Sequence, residues 1–409
     1  MSVVEVDRVT GALVVGDRRV FPLVLSDGPP VGAKAPDGRD ALAELADGGA
    51  GFIRAGRPVW SAGSIEQQIA AEREVLDAAA AHGLRCWLRL GNVPDLSARG
   101  LAAKQQLLNR IVGELKGHPA LGAWKGIDEP ANPNRPARVP PAGLVRAYRA
   151  LRKSDPDHPV VITQAPVGTA AQLVPYRPAF DITGADIYPV SYPPGKHAGG
   201  PNRDIGVVGD VTRKMVRAAG GKPVWMTLQI AWSGVIPSEQ HPGNVPRFPT
   251  LSQERFMAYQ AIANGARGLA FFGGHLTRIA RPADVQAGWN WTFWNRVLRP
   301  LFEELTSSAV APALVAPDAR NKVKASTKDV ELVTREAEGL LYVIAVRRGS
   351  GTSRVTFTGL PRRHDGQPIT GGEVLFEYEE GAFRTVGVAA NRFRDWFAQH
   401  DARVYRFRL

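Results

Sequence analysis

Acidic, basic and amide side chains close one apolar run after another through the larger, N-terminal part of the chain. Asp27, Arg54, Arg89 with Asn92, Asp128 with Glu129, Gln164, Asp186 with Tyr188, Gln229 with Trp232, and His275 each stand at or just past the end of such a run. A polar group inside an apolar strand is costly unless it is hydrogen-bonded. These side chains are therefore expected to face one polar cavity. Carboxyls there can exchange protons, and guanidinium, amide and imidazole groups can hold a polar ligand. The coincidence across many runs carries more weight than any single residue. Several of these residues are expected only to cap strands or to pair with one another.

The runs lie at 21–25, 51–54, 84–90, 121–128, 159–164, 181–188, 223–230 and 268–272. Segments of helical pattern separate them, at 40–46, 65–82, 101–116, 142–154, 170–175, 207–219, 252–264 and 291–305. Strands alternating with helices make a parallel sheet, and eight such units close into a barrel whose C-terminal strand tips form the pocket. The runs barely alternate in polarity, as strands buried on both faces should. His82-Gly83 stops the second helix, and Thr250 with Gln253 forms a capping box for the seventh. Further on, short segments rich in Val, Phe, Tyr and Thr recur at 331–335, 340–347, 354–357, 373–378, 383–386 and 404–409. The predicted fold class is α/β: a (β/α)8 TIM barrel over 1–306 with a short N-terminal β extension, a linker over 307–321, and a small antiparallel β-sandwich domain over 322–409.

The segment Trp124-Lys125-Gly126-Ile127-Asp128-Glu129-Pro130 resembles the strand-four signature of the clan A glycoside hydrolases, in which Asn-Glu-Pro holds the acid/base glutamate. The resemblance implies a glycosidase acting on an oligo- or polysaccharide. Glu129 would protonate the leaving oxygen, and Asp128 stands where the clan's Asn binds a sugar hydroxyl. The bland alternative for Glu129 is a salt-bridge partner of Arg89 or Lys125. The resemblance breaks at strand seven, where the clan carries its nucleophilic Glu and this chain reads Trp225-Met226-Thr227-Leu228-Gln229. An amide offers no anionic nucleophile.

Three alternatives follow from that break. Asp186 could serve as base to a water, with Gly184 and Ala185 leaving room beside it, on the inverting geometry of ~6.5–9.5 Å between carboxyls. The substrate could supply its own nucleophile, because adjacent Asp-Glu also resembles the hexosaminidase pair in which the Asp holds an acetamido group. The barrel could also bind sugar without cleaving it. A non-glycosidic barrel hydrolase is a further class. The catalytic candidates are Glu129, Asp186 and Asp128. The substrate-binding candidates are Asp27, Arg54, Trp60, Arg89, Asn92, Gln164, Tyr188, Gln229, Trp232, His275 and Trp289.

Aromatic residues suit a sugar cleft, because indole stacks on the C–H face of a pyranose. Trp60, Tyr188, Tyr192, Trp232 and Trp289 are placed for this, whereas Trp291, Phe293 and Trp294 have helix packing as the simpler role. No His spacing suggests a metal, no phosphate loop is present, and no cofactor is expected. The lone Cys86 lies within strand three and is expected to be a buried structural thiol.

The chain has 409 residues, ample for a large core, and a formal net charge of +12. Its basic residues are scattered, with no run longer than pairs such as Arg362-Arg363, which argues against a nucleic-acid partner and leaves an acidic sugar polymer open. No run reaches the ~18 apolar residues of a membrane span. The N-terminus shows no leader pattern, so a cytoplasmic location is expected as the chain stands, or secretion if the start has been trimmed.

Overall fold

The computed structural model describes residues 3–409 apart from 98–99, 134–138, 192–196, 198–201, 233–236, 238, 240–241 and 278–280. Tyr192 therefore lies outside the described residues.

Eight parallel strands close a barrel in chain order: Leu23–Leu25, Phe52–Gly56, Arg85–Arg89, Leu121–Lys125, Val160–Gln164, Ile182–Ala185, Val224–Gln229 and Ala266–Phe272. The last returns to the first, with Leu269 beside Leu23. Every expected run holds a strand. Strands four and six stop at Lys125 and Ala185, so Asp128, Glu129, Asp186 and Tyr188 stand on the loops just past the tips. Gly184 is not there to make room for Asp186. A Cβ at that position would overlap the Trp225 carbonyl, so the glycine lets strands six and seven approach.

Helices Ala41–Asp47, Ile65–Ala81, Leu101–Leu115, Pro141–Ser154, Val207–Ala219 and Leu251–Ala263 cover the outside. Thr250 and Gln253 make the expected capping box. The fifth crossover is only Ala170–Leu173 followed by a tight turn over Val174–Ala179. The eighth helix is interrupted by a widened turn at Trp294–Leu298, just ahead of Pro300, which has no N–H to give back to the helix.

The lower half of the barrel is solid. Phe52, Trp87, Ala123, Val161, Ile182 and Trp225 fill it, and Val4 and Leu13 of an N-terminal three-stranded sheet plug the bottom. The opposite, C-terminal mouth lies open above this layer.

The C-terminal part is a sandwich. One sheet runs Val330–Ala337, Leu340–Arg347, Ala402–Arg408, Gly371–Glu379, Ala382–Gly387 in spatial order; the other runs Lys324–Ala325, Ser353–Thr358, Arg392–Phe397. Phe357, Phe393, Tyr405 and Phe407 fill the space between them. The strand Arg392–Phe397 is an addition to the sequence reading. The expected linker contains a short helix, Ala311–Val315, whose Ala313 and Leu314 carbonyls accept from the Arg335 guanidinium. Tyr342, Ile344, Val346, Leu375 and Val404 continue the apolar core of the barrel helices. Polar bonds rim that junction: Arg348 pairs with Asp210 at 2.9 Å, and Gln260 Nε2 donates to Glu331 at 2.7 Å.

Candidate active site

A cavity of about 560 Å³ opens at the C-terminal mouth of the barrel. Seven of the sequence candidates line it: Arg54, Arg89, Asp128, Glu129, Asp186, Tyr188 and Trp232. They come from strand tips two, three, four, six and seven, which is why they are far apart in sequence and adjacent in space.

Glu129 is held in an unusual backbone state. Its φ is +47°, in the left-handed region that non-glycine residues rarely occupy. Such a conformation costs on the order of 1–3 kcal/mol and persists only where the surroundings over-determine it. Here Glu129 N–H donates to the Thr163 carbonyl at 2.8 Å, and Asn132 N–H donates to the Glu129 carbonyl at 3.1 Å. Asn132 Nδ2 also donates to Glu129 Oε2 at 3.0 Å. The carboxyl is aimed by the loop, not left to find its own rotamer.

Asp186 faces Glu129 at the cavity, close enough for the two carboxyls to act on one another. Burial first, then the like charges of Glu129 and Asp128, pushes Asp186 well above the usual carboxylate range. Asp186 therefore keeps its proton to a higher pH than an ordinary aspartate does. Its side chain is 14% exposed and also contacts the Tyr188 hydroxyl. His197 Nε2 lies 4.0 Å from Asp186 Oδ2. Burial brings His197 down to about 4, so it is neutral. Its Nδ1 accepts from Tyr188 N–H at 3.3 Å, which leaves the proton on Nε2, facing Asp186. His197 stacks on Tyr188 and meets Trp232 edge-on, building one aromatic wall.

Cations line the floor opposite. Lys125 Nζ bonds Asp128 Oδ1 at 2.7 Å and sits 5.4 Å from the Trp87 ring centre. Burial lowers the Lys125 ammonium and Asp128 opposes that shift. Arg54 is drawn down to about 10 by burial and by neighbouring Arg89. The Arg54 guanidinium is bonded to Asp27. The Arg89 guanidinium has no hydrogen bond or ion pair among the described residues. Among those residues no group of three His, Cys, Asp or Glu side chains is arranged to hold a metal ion.

The structure does not bring the other candidates to the cavity wall. Gln229 is fully buried, and its amide clamps Val190 from both sides, with Val190 N–H donating to Oε1 and Nε2 donating to the Val190 carbonyl, each at 2.8 Å. It fastens the loop after strand six. Trp60 is buried, its Nε1 donating to the Arg89 carbonyl and its N–H to Asn92 Oδ1, both at 3.1 Å. Trp60 and Asn92 thus tie two loops together. Trp289 is buried against Trp291 and donates to the Asp27 carbonyl at 2.7 Å. Asp27 supports Arg54, and His275 lies behind Asp27 at 3.1 Å. Gln164 sits beneath the Asp128–Glu129 loop, accepting from Ala131 N–H at 3.4 Å. Burial and the neighbouring carboxyls make the charged form of Asp186 costly, which disfavours it as a base to water.

Sequence reading missed Trp87, His197, Asn132, Thr163 and Thr227 on the cavity wall. Lys125 was considered as a partner of Glu129, and it pairs with Asp128 instead. A lysine ending an otherwise apolar strand was the available signal. His197 lies far along a loop and gave none.

No protein-family model and no curated protein matches the chain. Solved structures do resemble it. One described as a glycoside hydrolase superposes with a TM-score of 0.65 at 13% identity, covering 100% of this chain and 97% of that one. A family 5 glycoside hydrolase from Bacteroides vulgatus gives 0.64 at 14% identity, covering 99% and 92%. A family 39 glycoside hydrolase from Bacteroides cellulosilyticus gives 0.53 at 12% identity, covering 99% and 82%. At these identities the likeness is one of fold: a (β/α)8 barrel followed by a β-sandwich.

Proposed function

We propose that the barrel is a glycoside hydrolase in which Glu129 delivers the proton to the leaving oxygen. The observation that carries this reading is the pairing of Asp186 and Glu129 in a polar cavity at the barrel mouth, where burial and the Glu129 charge raise Asp186 well above the usual carboxylate range. The fold likeness to glycoside hydrolases supports it.

The nucleophile is then the substrate's own. Strand seven ends in Gln229, whose amide is spent on Val190, and burial disfavours the carboxylate form of Asp186. A 2-acetamido sugar supplies a carbonyl oxygen that attacks C1 as the C1–O bond breaks, and the one proton held by the Asp186–Glu129 pair passes through Glu129 to the leaving oxygen. Water then opens the cyclic intermediate and returns a proton to the pair. Asp128, ion-paired with Lys125, is placed to hold the acetamido group. Arg54, Arg89, Tyr188 and Trp232 bind the sugar.

Screening a glycan panel for released reducing ends tests this. Cleavage confined to 2-acetamido glycosides, with the first-formed product retaining its anomeric configuration by proton NMR, is the expected result. Inversion would refute it. A second reading, a barrel that binds sugar without cleaving it, is favoured by the same absence of a carboxylate at Gln229. Calorimetric binding without turnover across the panel would establish that reading.

A further inference from the structure

The three-stranded sheet of the sandwich turns one face to solvent, and that face is entirely basic, hydroxyl-bearing or aromatic. Along Arg392–Phe397 the residues alternate strictly, with Phe393, Asp395 and Phe397 buried and Arg392, Arg394 and Trp396 exposed. On the neighbouring strand Arg354 and Thr358 are exposed with Thr356 between them. The register sets Arg354 opposite Trp396, Thr356 opposite Arg394 and Thr358 opposite Arg392, and Lys324 continues the last row on the third strand. The outward positions of the three strands include no Asp or Glu.

Two features of this face call for a ligand. Trp396 is 56% exposed, an expensive position for an indole. Lys324, Arg354, Arg392 and Arg394 make no side-chain hydrogen bond or ion pair among the described residues, although elsewhere in the same sandwich Arg384, Arg403 and Arg406 are all paired. Neighbouring strands are ~4.8 Å apart and same-face neighbours on one strand are ~6.7 Å apart. The cations therefore form a sparse array, with backbone positions ~7–10 Å apart and hydroxyl-bearing or aromatic residues between them.

We infer that this face is a binding surface for a carboxylated polysaccharide, a polyuronate. Trp396 stacks on the C–H face of one sugar. Arg354, Arg392 and Arg394 fork onto the carboxylates of its neighbours, and the Thr hydroxyls meet ring hydroxyls. The choice of a sugar polymer over single-stranded nucleic acid rests on the glycosidase reading of the barrel. The surface itself does not depend on cleavage.

The test is binding of the full chain to polygalacturonate, read by affinity electrophoresis and by calorimetry, with laminarin as a neutral polymer and oligo(dT) as a competing polyanion. The expected result is salt-sensitive binding to polygalacturonate that weakens about tenfold in Trp396→Ala and at least as much in the Arg392→Ala/Arg394→Ala double variant, with unchanged melting temperatures. Arg110→Ala, on the barrel helix Leu101–Leu115, should bind as the parent does. Polygalacturonate affinity unaffected by these changes would overturn the inference. So would equal or tighter binding of laminarin or of oligo(dT) through the same residues. Loss of binding here with cleavage intact in the panel screen, or the reverse, separates this surface from the reading of the barrel.

Discussion

Asp186 and Glu129 are neighbouring carboxyls, and after burial the Glu129 charge is what raises Asp186 well above the usual carboxylate range. Burial and two neighbouring carboxyls make the charged form of Asp186 costly, so the pair behaves as a proton store beside the proposed bond-breaking position.

That arrangement has a stability signature. The pKa of Asp186 is raised on folding, above the ~3.9 of an unfolded aspartate. Its contribution is therefore fully present below that value and is lost as pH rises through the raised, folded value. Asp186→Asn, which keeps the shape without the titration, should melt progressively higher relative to the parent as pH is raised from 4 upward. A difference in melting temperature that is constant with pH would count against a protonated Asp186.

Gln229→Glu is expected to destabilise and not to create a nucleophile. The change sets a carboxylate oxygen against the Val190 carbonyl and removes a donor from a buried pair. The cost should be about 1–3 kcal/mol or more, read by urea denaturation. A variant as stable as the parent, or one that gains turnover on sugars lacking an acetamido group, would show that strand seven is available for chemistry.

Arg89→Ala removes the cavity cation that has no protein partner among the described residues. A hydrogen bond from a charged group is worth ~1.5–3 kcal/mol, so KM should rise by roughly ten- to a hundredfold with kcat little changed. An unaltered KM would remove Arg89 from the binding set.

The barrel was legible because eight apolar runs and their intervening helical patterns repeat in order, and each strand holds its run on both faces. Which tip residues reach the cavity was not. Trp60, Trp289 and Gln229 have the composition of sugar contacts, yet each spends its polar group on a backbone partner that only the folded loops bring near. His197 shows the reverse: a loop residue without any local pattern arrives against Tyr188 and Trp232. The strand Arg392–Phe397 alternates cleanly, but its polar face is cationic, which masked it beside the Val- and Tyr-rich strands.

Deleting residues 310–409 should give insoluble protein. Tyr342, Ile344, Val346, Leu375 and Val404 belong to the same core as the barrel helices, so their loss exposes a continuous apolar face. A soluble fragment with the parent's melting temperature would contradict this.

The central claim is proton delivery by Glu129, and its most direct test is the rate of reducing-end release from an unactivated 2-acetamido oligosaccharide. Parent and Glu129→Gln are compared at matched folding, verified by circular dichroism. The account predicts turnover by the parent and a loss of ~100–10,000-fold in the variant, with binding retained. Equal turnover by the two proteins would contradict it.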